Sequence, residues 1–149
     1  MVLELLGLLG LGFVGSVFWV VSTEAAAVYY GSALACPPLL VGLACALGQC
    51  GMYLILYAGG EQLLGRWRWL GRQVDRARQR LGERLETAYL STAGLGAVLG
   101  VPPALAFPAL AGSFGVRLGA LLPVMFAGRL VRFSVLAAAG AQLLGWLRF

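Results

Sequence analysis

The chain has 149 residues, of which 60% are hydrophobic and only 11% charged, with a mean hydropathy of +0.87 and a net charge of +5. Soluble domains average about 45–50% apolar residues, glycine included, and about 25% charged, so this chain has too few charges to cover a water-facing surface. That excludes a soluble globular enzyme and a disordered tail, and the chain reads as an all-α integral membrane protein.

Residues 2–21 read as a first membrane helix, because about 20 apolar residues span a hydrocarbon core about 30 Å thick. The stretch has no positive flank before its apolar run, and after Glu4 it carries no charge until Glu24, which argues against a signal peptide. Ser22-Thr23-Glu24 is a polar interruption at or near membrane depth. Residues 25–36 are small and apolar and stop at Pro37-Pro38. That piece is too short to cross and reads as re-entrant or interfacial. Residues 39–59 give a second full span, whose Gly42, Ala44, Ala46, Gly48 and Gly51 permit close helix packing in lipid.

The next segment changes character. Between residues 62 and 89, Leu63, Trp67, Leu70, Val74, Ala77, Leu81 and Ala88 recur mostly at steps of three and four, and arginines fill the other face. All eleven basic residues of the chain are Arg, and seven of them, including Arg66, Arg68, Arg72 and Arg76, fall between residues 66 and 84. The pattern predicts a basic amphipathic helix lying on the membrane against anionic headgroups. Residues 66–86 are placed in the cytoplasm by the excess of positive charge. The basic stretch is short and sits between membrane segments, so it does not point to nucleic acid.

The second half echoes the first. Residues 91–100 are short and apolar and run into Pro102-Pro103, with Pro108 close behind. Each half therefore holds one Pro-broken segment, the pattern that in transporters points to a binding site. Residues 118–147 contain Pro123 and the pair Arg129 and Arg132, and read either as one long tilted helix or as a short helix followed by a span from about 130 to 147. Arg129 and Arg132 share one helix face, and an arginine in hydrocarbon is costly enough to require an interface or a polar interior. The architecture expected is a single membrane domain over residues 1–149: a first apolar half 1–60, a basic amphipathic helix 61–89 and a second apolar half 90–149. It holds two re-entrant segments and about three to four spanning helices.

Chemistry is sparse. The chain has no His, and its six acids, apart from those in the basic stretch, stand far apart. Cys36, Cys45 and Cys50 are wrongly spaced for zinc and lie in apolar sequence. No glycine loop followed by Lys is present, and no Ser–His pair. No enzyme, metal or cofactor is expected.

Several short stretches resemble the DedA family, also called the SNARE-associated or VTT-domain family. Ser22-Thr23-Glu24 resembles its S-E element, and Ala46-Leu47-Gly48-Gln49-Cys50-Gly51-Met52-Tyr53 its A-x-L-G-x-x-x-G-x-x-x-Y stretch in slightly compressed form. Gly59-Gly60-Glu61-Gln62-Leu63-Leu64 is similar to the G-R-x-x-G region, with the arginine displaced to Arg66. Gly128-Arg129-Leu130-Val131-Arg132-Phe133 is similar to the G-R/K-x-x-R-Y/F element of smaller members. The resemblance implies two re-entrant segments meeting near mid-membrane and a role in moving phospholipid or polyprenyl-phosphate headgroups across the bacterial inner membrane. It also implies that Glu24, which matches a family acid coupled to protons, and Arg129 and Arg132 carry that transport. The second half departs from the pattern: Gly100 to Pro108 keep the prolines of R-F-x-P-G-x-R and lack both arginines. Arg129 and Arg132 then substitute, or the headgroup is neutral or zwitterionic. The expected partners are membrane lipids, with a homo-oligomer left open by the Gly- and Ala-rich faces. The competing expectations are an assembly partner of another membrane protein and a small-molecule exporter.

Overall fold

The computed structural model describes residues 2–15, 22–34, 36–64, 72, 75–76, 79–80, 84–100 and 105–147. Among these residues the chain is helical throughout, without a strand, in the order α1 (Val2–Gly15), α2 (Thr23–Ser32), α3 (Pro38–Leu64), α4 (Arg84–Leu99), α5 (Ala106–Phe114) and α6 (Leu118–Leu147). The lengths are 14, 10 and 27 residues and then 16, 9 and 30, so the same sequence of medium, short and long helix occurs twice.

Local chemistry sets the helix ends. Ser22 is extended at φ −72° and ψ 103°, and its Oγ accepts the Ala25 N–H at 3.1 Å, which caps α2. Pro37 accepts the Leu40 and Val41 N–H groups at 2.9 and 3.2 Å, and Pro38 takes the first helical position of α3, where a missing N–H costs nothing. Gly100 closes α4 at φ 78° and Gly115 closes α5 at φ 72°, both in the left-handed region open to glycine. Pro123 sits inside α6 without ending it. Residues 118–147 are thus one helix, not two.

Along the chain, the described residues bear differently on the expected elements. Of the first span expected over residues 2–21, the described part is α1, about 21 Å long at 1.5 Å per residue, and residues 16–21 lie outside the described residues. Among the described residues two helices, Pro38–Gly60 within α3 and Leu118–Gln142 within α6, are long and apolar enough to cross a membrane. The boundary near residue 90 disappears, because α4 runs from the end of the basic stretch straight through the short apolar one to Leu99. Of the basic helix, residues 72, 75, 76, 79 and 80 are helical and exposed, including Arg72 and Arg76. Arg66, Arg68, Pro102 and Pro103 lie outside the described residues.

The chain divides into two compact units, one of Met1–Met52 with Phe126–Phe149 and one of Tyr53–Met125, the division cutting through both long helices. In the first unit α1 and α2 fold back on each other. A Cβ on Gly7 would lie 3.5 Å from the Tyr30 hydroxyl. Gly7 stands about two turns before the end of α1 and Tyr30 about two turns after the start of α2, which requires an antiparallel hairpin. Leu8, Ala27, Val41, Cys45, Phe133 and Ala137 form its core. Glycines let the backbones touch. A Cβ on Gly12 would stand 2.7 Å from the Cys45 carbonyl oxygen, and one on Gly48 would overlap that of Leu9. Gly31 is set in the same way against Ala137, and Gly140 against Val28.

In the second unit α4 and α5 also fold back. The Tyr89 hydroxyl donates to the Phe107 carbonyl oxygen at 2.5 Å, and its ring packs on Phe107 and Phe114 with centroids 5.7 and 5.3 Å away. Glu86 and Arg117 meet at 3.4 Å, which brings the chain after α5 back to the first turn of α4. The Tyr57 hydroxyl donates to the Val116 carbonyl oxygen at 3.1 Å, and Gly60 abuts the Ala109 backbone. The short helix is held at both ends.

Candidate functional site

Two charged residues of the first unit, Glu24 and Arg132, meet directly. Ser22 caps α2 and so puts Glu24 in its first turn, where a carboxylate is favoured by the helix dipole. On α6, the inward residues Met125, Arg129, Phe133 and Ala137 alternate with Ala127, Val131, Val135 and Ala139, which face outward. Arg132 lies between the two sets. Its Nε and Nη2 both donate to Glu24 Oε1, at 3.0 and 2.5 Å, across 108 residues of sequence. Charge-assisted pairs of this kind are about twice as strong as neutral hydrogen bonds, and each ion left alone at a membrane helix centre would cost roughly 2.5–3.5 kcal/mol on insertion scales.

Arg129, one turn earlier, is only 8% exposed, and its guanidinium lies 5.9 Å from the centroid of the Phe133 ring, within cation–π range. The three charged residues singled out in the sequence are therefore not equivalent. Glu24 and Arg132 form a direct ion pair, whereas Arg129 is enclosed against an aromatic face.

Two hydroxyls complete the picture, and the sequence reading passed over both. Thr23 Oγ1 and Ser134 Oγ are buried without a hydrogen-bond partner. Thr23 precedes Glu24, and Ser134 follows Arg132 by two positions and faces Gly42 of α3, where a Cβ would collide with its Oγ. Buried hydroxyls are normally satisfied, so these two positions hold hydrogen-bonding capacity that is not used, although Ser134, two residues from Arg132 on one helix, faces α3 and not the ion pair. Thr23 was visible as part of the polar interruption. Ser134 gave no signal, since one Ser in an apolar helix commonly bonds its own backbone.

The first proline pair falls elsewhere. Pro37 and Pro38 form the start of α3 and do not break a segment in its middle. The reason is chemical: proline at the first helical position starts a helix, whereas the capping side chain of Ser22 separates α2 from α1. Among the described residues no group of three His, Cys, Asp or Glu could hold a metal ion.

Comparison with known protein families, characterised proteins and solved structures gives no match.

Proposed function

We propose that this chain is a bacterial inner-membrane protein of the DedA type that moves lipid headgroups between leaflets, with residues 66–86 on the cytoplasmic side. The observation that carries the reading is the Glu24–Arg132 pair on a helix whose outer face is apolar. Val131 and Val135 are 52% and 60% exposed, while Arg129 between the same turns is buried. Charge inside and apolar side chains outside is the reverse of a soluble surface, and it suits a helix solvated by lipid.

The two hairpins support the same reading. Each is too short to cross, and each returns to the point from which it set out. Irregular backbone at membrane depth is tolerated only where protein buries it or where it lines a wet cavity. A headgroup crossing hydrocarbon faces a cost of several kcal/mol for each unsatisfied polar group. A path that offers a guanidinium and a carboxylate, as the Glu24–Arg132 pair does, lowers that cost.

Reconstitution tests the proposal. The purified protein in liposomes is expected to carry tail-labelled lipid between leaflets, and a folded Arg132→Gln variant is expected to lose most of that rate. No movement by folded wild-type protein would end the lipid-moving reading and favour an assembly partner.

A further inference from the structure

Helix α6 is continuous in outline and interrupted in its hydrogen bonding. Pro123 is its sixth residue. It has no N–H to reach back four positions to the Gly119 carbonyl oxygen, and its ring crowds that carbonyl. The residue crowded is a glycine, and a Cβ placed on it would meet nothing within 4 Å. Gly119 and Pro123 are both exposed. A proline bend that packing holds in place would have neighbours at these two positions. Here the weak turn of the helix has open space beside it.

The stretches on either side of that turn are anchored separately. Before it, Val116 and Leu121 are buried, the Val116 carbonyl oxygen accepts the Tyr57 hydroxyl, and Arg117 meets Glu86. After it, Phe133 and Ala137 are buried in the core of the first unit, and Arg132 donates to Glu24. The changeover from the second unit to the first falls at Met125–Phe126, within one turn of the proline. Met125 is buried there, and an unbranched thioether adapts to altered surroundings more readily than a branched side chain does.

We propose that α6 is a lever jointed at Pro123. Its long arm, residues 124–147, changes its angle to its short arm, residues 118–122, and moves Arg132 as it does so. Sharp bends in helices occur at proline, and a hinge concentrates its change in a few residues. The joint rests on α6 alone, whereas its use, the repositioning of Arg132 during lipid movement, rests on the reading above. A joint of this kind sets the rate of a conformational step without touching what is moved. α3 supplies the contrast: it is nearly as long, and its one proline, Pro38, stands at its first position, where it leaves every interior hydrogen bond intact.

The test uses the full chain in liposomes, free of its own cysteines, with spin labels on cysteines introduced in pairs. One pair, at Leu118 and Val135, brackets the joint, with backbones about 25 Å apart along a straight helix. The other, at Leu39 and Ile55 on α3, spans about 24 Å without an interior proline. Pulsed dipolar spectroscopy is expected to give a broader distance distribution for the α6 pair than for the α3 pair. Pro123→Ala restores the missing N–H, so it is expected to narrow the α6 distribution to the α3 width, to leave the melting temperature unchanged or raised, and to slow the movement of tail-labelled lipid several-fold. An α6 distribution as narrow as that of α3 overturns the joint, and so does a Pro123→Ala protein that keeps the broad one. A narrowed Pro123→Ala protein that moves lipid at the wild-type rate overturns its use. Lack of lipid movement by wild type, with both distributions as expected, upholds the joint and strikes the lipid-moving reading instead.

Discussion

Arg129 and Arg132 stand three residues apart and have separate duties. Arg129 lies over the Phe133 ring, so Phe133→Leu removes a cation–π contact of about 0.5–2 kcal/mol along with ring volume in the core. The expected result is a lower melting temperature in detergent, with lipid movement by the folded variant retained. Tyr89 offers a second single-residue check. Its hydroxyl satisfies the Phe107 carbonyl, so Tyr89→Phe should cost about 1 kcal/mol, the net value of one such hydrogen bond, read as an earlier thermal transition. Charges at Glu24, Arg129 and Arg132 could be picked out in the sequence because they interrupt apolar runs. That Glu24 pairs with Arg132 and not with Arg129 could not, since nothing local records a contact made across 108 residues.

Among the elements, glycines decide which helices can touch. Gly48 and Gly59 both lie on α3 and look alike in sequence, yet a Cβ on Gly48 would overlap the Leu9 carbonyl, whereas one on Gly59 would meet nothing within 4 Å. Gly48→Ala is therefore expected to cost about 1–3 kcal/mol, as overpacking does, because the obstacle is backbone and cannot rotate away. Gly59→Ala is expected to be neutral or to stabilise α3 by up to about 1 kcal/mol through helix propensity. Thermal unfolding of the two variants side by side separates these outcomes. The small-residue pattern of α3 was legible from the sequence. Which small residues are contacts was not, because that depends on the helix facing them. The extent of α6 was also undecided from sequence, since a proline removes one backbone donor whether a helix bends around it or stops.

At the scale of the whole molecule, the proposed membrane reading turns the repeated order of medium, short and long helix into a testable topology. On that reading a hairpin that returns to its own side contributes no crossing, α3 and α6 contribute two, and both ends of the chain are expected on the face opposite the basic stretch. In a cysteine-free background, a single cysteine at Gln79 is expected to react with an impermeant reagent only after the cells are opened, and one at Arg148 in intact cells. The reverse pattern, or the same side for both, would overturn this topology. The expectation of a Pro-broken segment in each half came from the prolines, and the first pair shows why such reasoning is partial: Pro37 and Pro38 open α3 instead of breaking a segment, because a proline at the first helical position starts a helix as readily as one inside it ends it. The ion pair also sets a timetable for biosynthesis. Glu24 leaves the ribosome 108 residues ahead of Arg132, a delay of roughly 5–20 s at ordinary synthesis rates. During that interval the nascent hairpin carries an acid without its counter-ion and lacks the α6 backbone against which Gly31 and Val28 will rest. A chain cut short at residue 125 should consequently be cleared by membrane proteases, however well its first 64 residues are made.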